Sequence, residues 1–184
     1  MEFKGFKLKI ILVVVILVLG LFFSGQYLNE VYNVDKPIKD DILALEGIRD
    51  VSIIDNNDKV DLHIEFKPGI DFYTLYQTIT NIMDDRLGER SGNVVIAKNN
   101  QSNSNLDDIY YELHFAIYQG INTGRFVEME ENIKVIVDKS DLDNYKIWVD
   151  NQSVFIQLDR NDESIYKRIS YNSQLNIEGG GSIG

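Results

Sequence analysis

The chain has 184 residues with net charge −11, 44% hydrophobic side chains and no cysteine. The missing thiols exclude disulfides, thiolate metal sites and cysteine nucleophiles, so stability has to come from packing. The acidic balance makes nucleic acid an unsuited partner, because such a surface repels a phosphate backbone.

From Ile10 to Phe23 no side chain is charged or strongly polar, and only Gly20 interrupts the bulky apolar run. A membrane-spanning helix needs about 20 such residues. Leu8 and the stem of Lys9 lengthen the run at one end, since a lysine can lay its methylenes along lipid and send its ammonium to the headgroups. Ser24 to Leu28 lengthen it at the other end, with Tyr27 suited to the interfacial belt. The expectation is a transmembrane anchor over residues 8–28, with Lys9, Ile10, Phe23 and Tyr27 marking its ends. Lys4, Lys7 and Lys9 precede the run and no basic residue follows before Lys36. The positive-inside rule then places residues 1–7 in the cytoplasm and the rest outside the cell membrane. A cleaved signal peptide shares the basic start and apolar middle. Its cleavage site wants small residues at −3 and −1, whereas cleavage after Ser24 or Gly25 puts Phe22 or Phe23 at −3. An uncleaved signal-anchor is therefore the expectation. Beyond Lys9 there remain 15 basic and 28 acidic residues, a net −13, which disfavours contact with anionic lipid and favours solubility.

Residues 29–39 read as a polar juxtamembrane spacer. Asp40 or Asp41 could cap a helix through Ile42, Leu43, Leu45 and Ile48, ended near Gly47. Val51 and Ile53, then Val60, Leu62, Ile64 and Phe66, alternate with mostly polar residues as half-buried strands do, joined by the turn residues Asp55 to Asp58. A helix from Asp71 puts Phe72, Leu75, Ile79, Ile82, Met83 and Leu87 on one side until Gly88. Val94 to Ala97 closes a first module over residues 40–98.

The polar stretch 99–105 reads as a linker. Residues 106–122 follow as a helix with two apolar sides, Ile109, Leu113, Ala116 and Ile117 on one, and Tyr111, Phe115 and Tyr118 on the other, as for a helix packed between units. A second amphipathic helix carries Phe126, Met129, Ile133 and Ile136. Tyr145, Ile147 and Val149 and then Val154, Ile156 and Leu158 form a second hairpin. Asn161 or Asp162 caps a short helix with Ile165, Tyr166 and Ile169, and Leu175 to Ile177 suggests a closing strand. The expected fold is α+β, an N-terminal transmembrane helix followed by two helix–strand–strand–helix–strand modules, the second over residues 106–178, with a glycine-rich flexible tail at 179–184.

A membrane anchor followed by such modules resembles the ring-building motif of type III secretion inner rings, flagellar MS rings and sporulation channels. The residues that carry the resemblance are Leu45-Glu46-Gly47-Ile48, Val51 and Ile53, the hairpin to Phe66, the helix from Asp71, and Val94 to Ala97. The resemblance implies side-by-side assembly around a membrane conduit.

Candidate chemistry is sparse. Asp61, His63 and Glu65 share one strand face, as a divalent-cation site or a solvated surface would. His114 falls in an aromatic helix and reads as a packing residue. Asp141-Leu142-Asp143-Asn144 has the start of a calcium loop without its glycine and distal glutamate. No serine elbow or glycine-rich phosphate loop occurs. Trp148 and Phe155 point away from the expected core of their hairpin, either as a partner surface or under the helices at 106–137. The expected protein is non-catalytic and needs no cofactor. It acts as an envelope scaffold, by homo-oligomerisation or with an envelope protein partner, or alternatively as a ligand- or cation-binding module.

Overall fold

The computed structural model describes residues 8–30, 36–56, 58–97 and 104–171. Among these residues five α-helices and six strands follow in the order α1 (Leu8–Glu30), α2 (Lys36–Leu43), β1 (Ile48–Asp55), β2 (Val60–Phe66), α3 (Phe72–Leu87), β3 (Ser91–Ile96), α4 (Ser104–Thr123), α5 (Phe126–Val137), β4 (Asn144–Val149), β5 (Ser153–Arg160) and β6 (Glu163–Ser170). The fold is α+β, with two three-stranded sheets ordered β1-β2-β3 and β4-β5-β6. Among the described residues no helix is long and apolar enough to cross a membrane. In α1 the side chains are described from Leu12 to Phe23. Its apolar side chains in that stretch are all exposed.

The first module has the expected element order, with one shift. Helix α2 begins at Lys36, before either aspartate proposed as its cap, and Ile48 opens β1 instead of ending the helix. Pro37 explains the early start, because the first turn of a helix has no use for the proton that proline lacks. Ile38 and Ile42, four residues apart, are fully buried. Gly47 turns the chain into β1 at φ +100°. Strand β1 pairs antiparallel with β2, Val51 opposite Ile64 and Ile53 opposite Leu62. Strand β2 alternates buried and half-buried positions without a break. Asp71 caps α3 by accepting from the Thr74 amide at 3.2 Å, and α3 carries the chain over to β3, which runs parallel to β2.

The second unit is not a repeat of the first. Residues 163–170 form strand β6 where a helix was expected, so the order is helix–helix–strand–strand–strand, an antiparallel meander. Asn161, expected as a helix cap, sits at φ +53° in a tight turn between Arg160 and Glu163. Asparagine suits either role. Ile165, Tyr166 and Ile169 mimic a helical spacing because β6 buries side chains on both faces. Tyr166 joins the core under the first sheet, and Ile165 and Ile169 join the core under α4 and α5. A strand used on both faces loses its alternation. The expected strand at Leu175 to Ile177, the tail at 179–184 and most of the linker at 99–105 lie outside the described residues.

The two units form a single stack of four layers: sheet β1-β2-β3, then α2 and α3, then sheet β4-β5-β6, then α4 and α5. Strand β5 is buried along both faces from Ser153 to Leu158. Val154, Ile156 and Leu158 meet Leu113, Ile117 and Ile133, while Phe155 meets α3. Hydrogen bonds close the seam. The Gly69 amide donates to Ser164 Oγ at 3.2 Å, the Phe72 amide to Gln157 Oε1 at 3.4 Å, and the Tyr166 hydroxyl to the Lys67 carbonyl at 2.8 Å.

Burial pushes the Tyr166 and Tyr76 hydroxyls above the ordinary tyrosine range. The folded protein therefore keeps protons that the unfolded chain releases near pH 10, and stability is lost as pH rises above about 10. Tyr166→Phe is expected to cost about 1 kcal/mol at neutral pH, the value of one hydrogen bond, and to flatten this alkaline limb. Urea titrations from neutral to strongly alkaline pH read both effects. An unchanged limb would remove Tyr166 from the linkage.

Candidate functional site: an exposed aromatic face on α4

Asp61, His63 and Glu65 do lie on the outer face of β2, but Asp61 and Glu65 are each engaged with other partners. Asp61 accepts from Asn56 Nδ2 at 3.0 Å and from the Asn93 amide at 2.7 Å, tying the β1–β2 turn to β3. Glu65 pairs with Arg49 across the hairpin at 2.6 Å. His63 stands opposite Ser52. Side chains two apart on a strand are held about 6.6–6.8 Å from one another, so the three fan outward in parallel. Among the described residues no cluster of histidine and carboxylates could hold a metal ion. The aspartates at 141 and 143 also serve the fold: Asp141 pairs with Arg160, and Asp143 accepts from the Asn161 amide.

Trp148 and Phe155 are not a partner surface. Phe155 is 1% exposed, with the rings of Tyr73 and Tyr76 both 5.1 Å away, and Trp148 stacks on Tyr73 at 5.8 Å. The cover is α3 of the first module, not the helices at 106–137. Of the expected anchor residues, Phe23 is exposed, and the side chains of Lys9, Ile10 and Tyr27 lie outside the described residues.

The face left open is on α4. Leu106, Leu113, Ala116 and Ile117 bury one side of the helix against α5 and the second sheet, with Gly120 admitting Met129: a Cβ there would meet the Met129 side chain at 2.7 Å. The opposite side, expected to be packed as well, is packed only at Tyr118, which is half-buried against the same core. Tyr111 is 64% and Phe115 60% exposed. Their rings are 5.6 Å apart, and His114 bridges Phe115 at 4.8 Å and Tyr118 at 4.7 Å. His114 Nδ1 is buried without a hydrogen-bond partner among the described residues. The pattern that betrays the exposure is polar: Asp108, Glu112, Gln119 and Asn122 flank the rings on the same side of the helix and are all exposed. A helix side wanted inside a core would not carry them. Val127 and Val135 on α5 are exposed singly among charged neighbours, which is ordinary for a surface.

Comparisons with protein-family models, curated proteins and solved structures return no match. The site therefore has to be read from its chemistry. A shallow groove at the α4–α5 turn, lined by Ala116, Gly120, Arg125 and Met129 among others, has no interior room for even a water molecule. The ion pairs at Arg49, Arg86, Arg90 and Arg125 are partly or largely exposed, and pairs of that kind contribute about 0–1 kcal/mol each. Contiguous aromatic area is what the surface offers, and such area is the usual anchor of protein–protein contacts.

Proposed function

We propose that this is a single-pass membrane-anchored protein whose acidic α+β domain lies outside the cell membrane and acts as a non-catalytic scaffold or assembly component of the envelope. The exposed Tyr111 and Phe115 rings, backed by the half-buried His114 and Tyr118, carry this reading. Large aromatic groups held in water by a rigid helix have a cost that a partner removes, and they bring much contact area for little conformational entropy.

The anchor rests on two facts. The helix Leu8–Glu30 contains the uncharged run from Ile10 to Phe23, and its exposed leucines, valines and phenylalanines call for a cover that lipid supplies. The lysines before the run orient it. The first module has two helices on one side of a three-stranded sheet, as in the ring-building resemblance. Its α3 also packs against the second sheet of the same chain, so assembly is assigned to α4 instead.

Two measurements test this. An export-dependent reporter fused after Gly184 should be active, and an inactive fusion sinks the orientation. A photo-reactive side chain at position 115 should give a covalent protein adduct in intact cells, while one at Ser52 on the opposite sheet gives none. Tyr111→Ser should leave stability within ~0.5 kcal/mol, as for surface substitutions generally, and reduce the adduct several-fold. No adduct at 115 would remove the binding role.

A further inference from the structure

We propose that Arg168, with the hydroxyls of Tyr76 and Ser153 beside it, forms a site for one carboxylate group where α3 crosses the second sheet. The α4 face plays no part in this site, so the two readings stand or fall separately. Arg49, Arg86, Arg90, Arg125 and Arg160 each pair with an acid. Arg168 makes no ion pair among the described residues, in a chain of net charge −11.

This arginine is not loose on the surface. It is half-buried and stands opposite Phe155, on the α3 side of β6. Its guanidinium carbon lies 5.5 Å from the centre of the Tyr76 ring, and its Nε is buried without a hydrogen-bond partner among the described residues. An arginine neither sheds its proton nor accepts a hydrogen bond. Held partly out of water with no counter-charge, it carries a cost that an incoming anion removes.

The neighbouring side chains add donors. Ser153 pairs with Ser170, which puts it one diagonal step from Arg168 on the same side of the sheet. Such neighbours are about 7–8 Å apart, within reach of a long side chain. Ser153 is 0% exposed, and its Oγ also has no partner among the described residues. Burial raises the Tyr76 hydroxyl above its ordinary range, with Arg168 pulling it down and Asp150 pushing it up, so both charges reach it. Asp150 is committed elsewhere: its Oδ1 accepts from the Gln152 and Ser153 amides at 2.8 and 2.7 Å.

Charge selects the anion. The acidic domain and Asp150 oppose a phosphate dianion about twice as strongly as a carboxylate. The planar arginine fork matches the two oxygens of a carboxylate. That group comes either from a free carboxylic acid or from this chain. The main chain passes this corner at Tyr171, whose amide donates to the Gln152 carbonyl at 2.9 Å, and the next acid in sequence is Glu178.

The test follows the Arg168 Nε–H resonance of the isotope-labelled full chain in a non-ionic detergent at neutral pH, assigned by its loss in Arg168→Lys. Sodium acetate should move it saturably, with half-saturation of about millimolar order, the range open to so small a ligand. Chloride at equal ionic strength should leave it in place, and phosphate should act more weakly. Ser153→Ala should weaken acetate about tenfold, as loss of a hydrogen bond to a charged group does. Acetate at ten times half-saturation should raise the folding constant about tenfold, seen as a higher unfolding midpoint by Trp148 fluorescence, and Arg168→Gln should lose that rise. If the native chain ignores acetate while Glu178→Gln responds, the carboxylate is the chain's own. A resonance unmoved in both, or moved as far by chloride, overturns the proposal. Phosphate binding tighter than acetate, or a midpoint rise retained in Arg168→Gln, overturns it too.

Discussion

Phe155→Ala is expected to destabilise the whole domain by about 3–5 kcal/mol, the cost of emptying a buried aromatic site. Phe155 lies on the middle strand of the second sheet, yet its neighbours belong to the first module: Phe72 at 5.9 Å, Tyr73 and Tyr76 at 5.1 Å. Those rings continue to Phe66 and Tyr166, Phe66 at 5.4 Å from Phe72 and Tyr166 at 5.0 Å. A cavity at 155 opens where α3 is held between two sheets, so neither half can collapse to fill it without leaving the other. The loss should appear as a single cooperative unfolding transition with a lower midpoint, roughly 2–4 °C per kcal/mol for a domain near this size. Two separated transitions, or a loss confined to the second sheet, would show that the four layers do not fold as one unit. The Trp148 fluorescence and the far-ultraviolet dichroism report the two halves together, because Trp148 stacks on Tyr73 of α3.

The same seam separates what was legible in the residues from what was not. Strand β2 alternates buried and half-buried positions, and β1 from Val51 sets Val51 and Ile53 deeper than Ser52 and Ile54, so the period of two survives and the first module reads correctly from Val51 through Phe66. Helix α3 carries an aspartate cap and a glycine stop at the expected places. The second unit was misread where a strand is covered on both sides. Ile165, Tyr166 and Ile169 serve two different cores, and their spacing imitates a helix. Trp148 and Phe155 were placed on the correct side of their hairpin, but no local pattern says which distant element covers them. On α4 the error ran the other way. The spacing of Tyr111 and Phe115 predicts burial, whereas Asp108, Glu112, Gln119 and Asn122 mark the side as exposed. The apolar run from Ile10 to Phe23 is the plainest pattern in the chain, and it names no partner. The aromatic side of α4 supplies the candidate that the sequence pattern concealed.

Gly92→Ala is the second substitution expected to cost heavily, by about 2–4 kcal/mol, at the upper end of overpacking penalties. A Cβ on Gly92 would meet the Val60 carbonyl oxygen at 2.6 Å and carbon at 2.9 Å, and Asp61 Oδ1 at 2.4 Å. A side chain can rotate away, but the Val60 backbone cannot, because it is paired with Asp55 on one side and Ser91 on the other. The parallel β2–β3 register would have to shift, and the Asp61 contact with the Asn93 amide would go with it. Gly124→Ala isolates the other use of glycine. Its φ of +68° is one that alanine adopts at a cost, yet no atom lies within 4 Å of the added methyl, so only about 1 kcal/mol should be lost, close to the general left-handed penalty. Urea midpoints of the two variants measure the difference directly. Equal effects would mean that the close approach of β3 to Val60 is not a constraint. A larger loss at Gly92 together with faster amide exchange at Asn93 and Val94 would place the damage on the β3 edge.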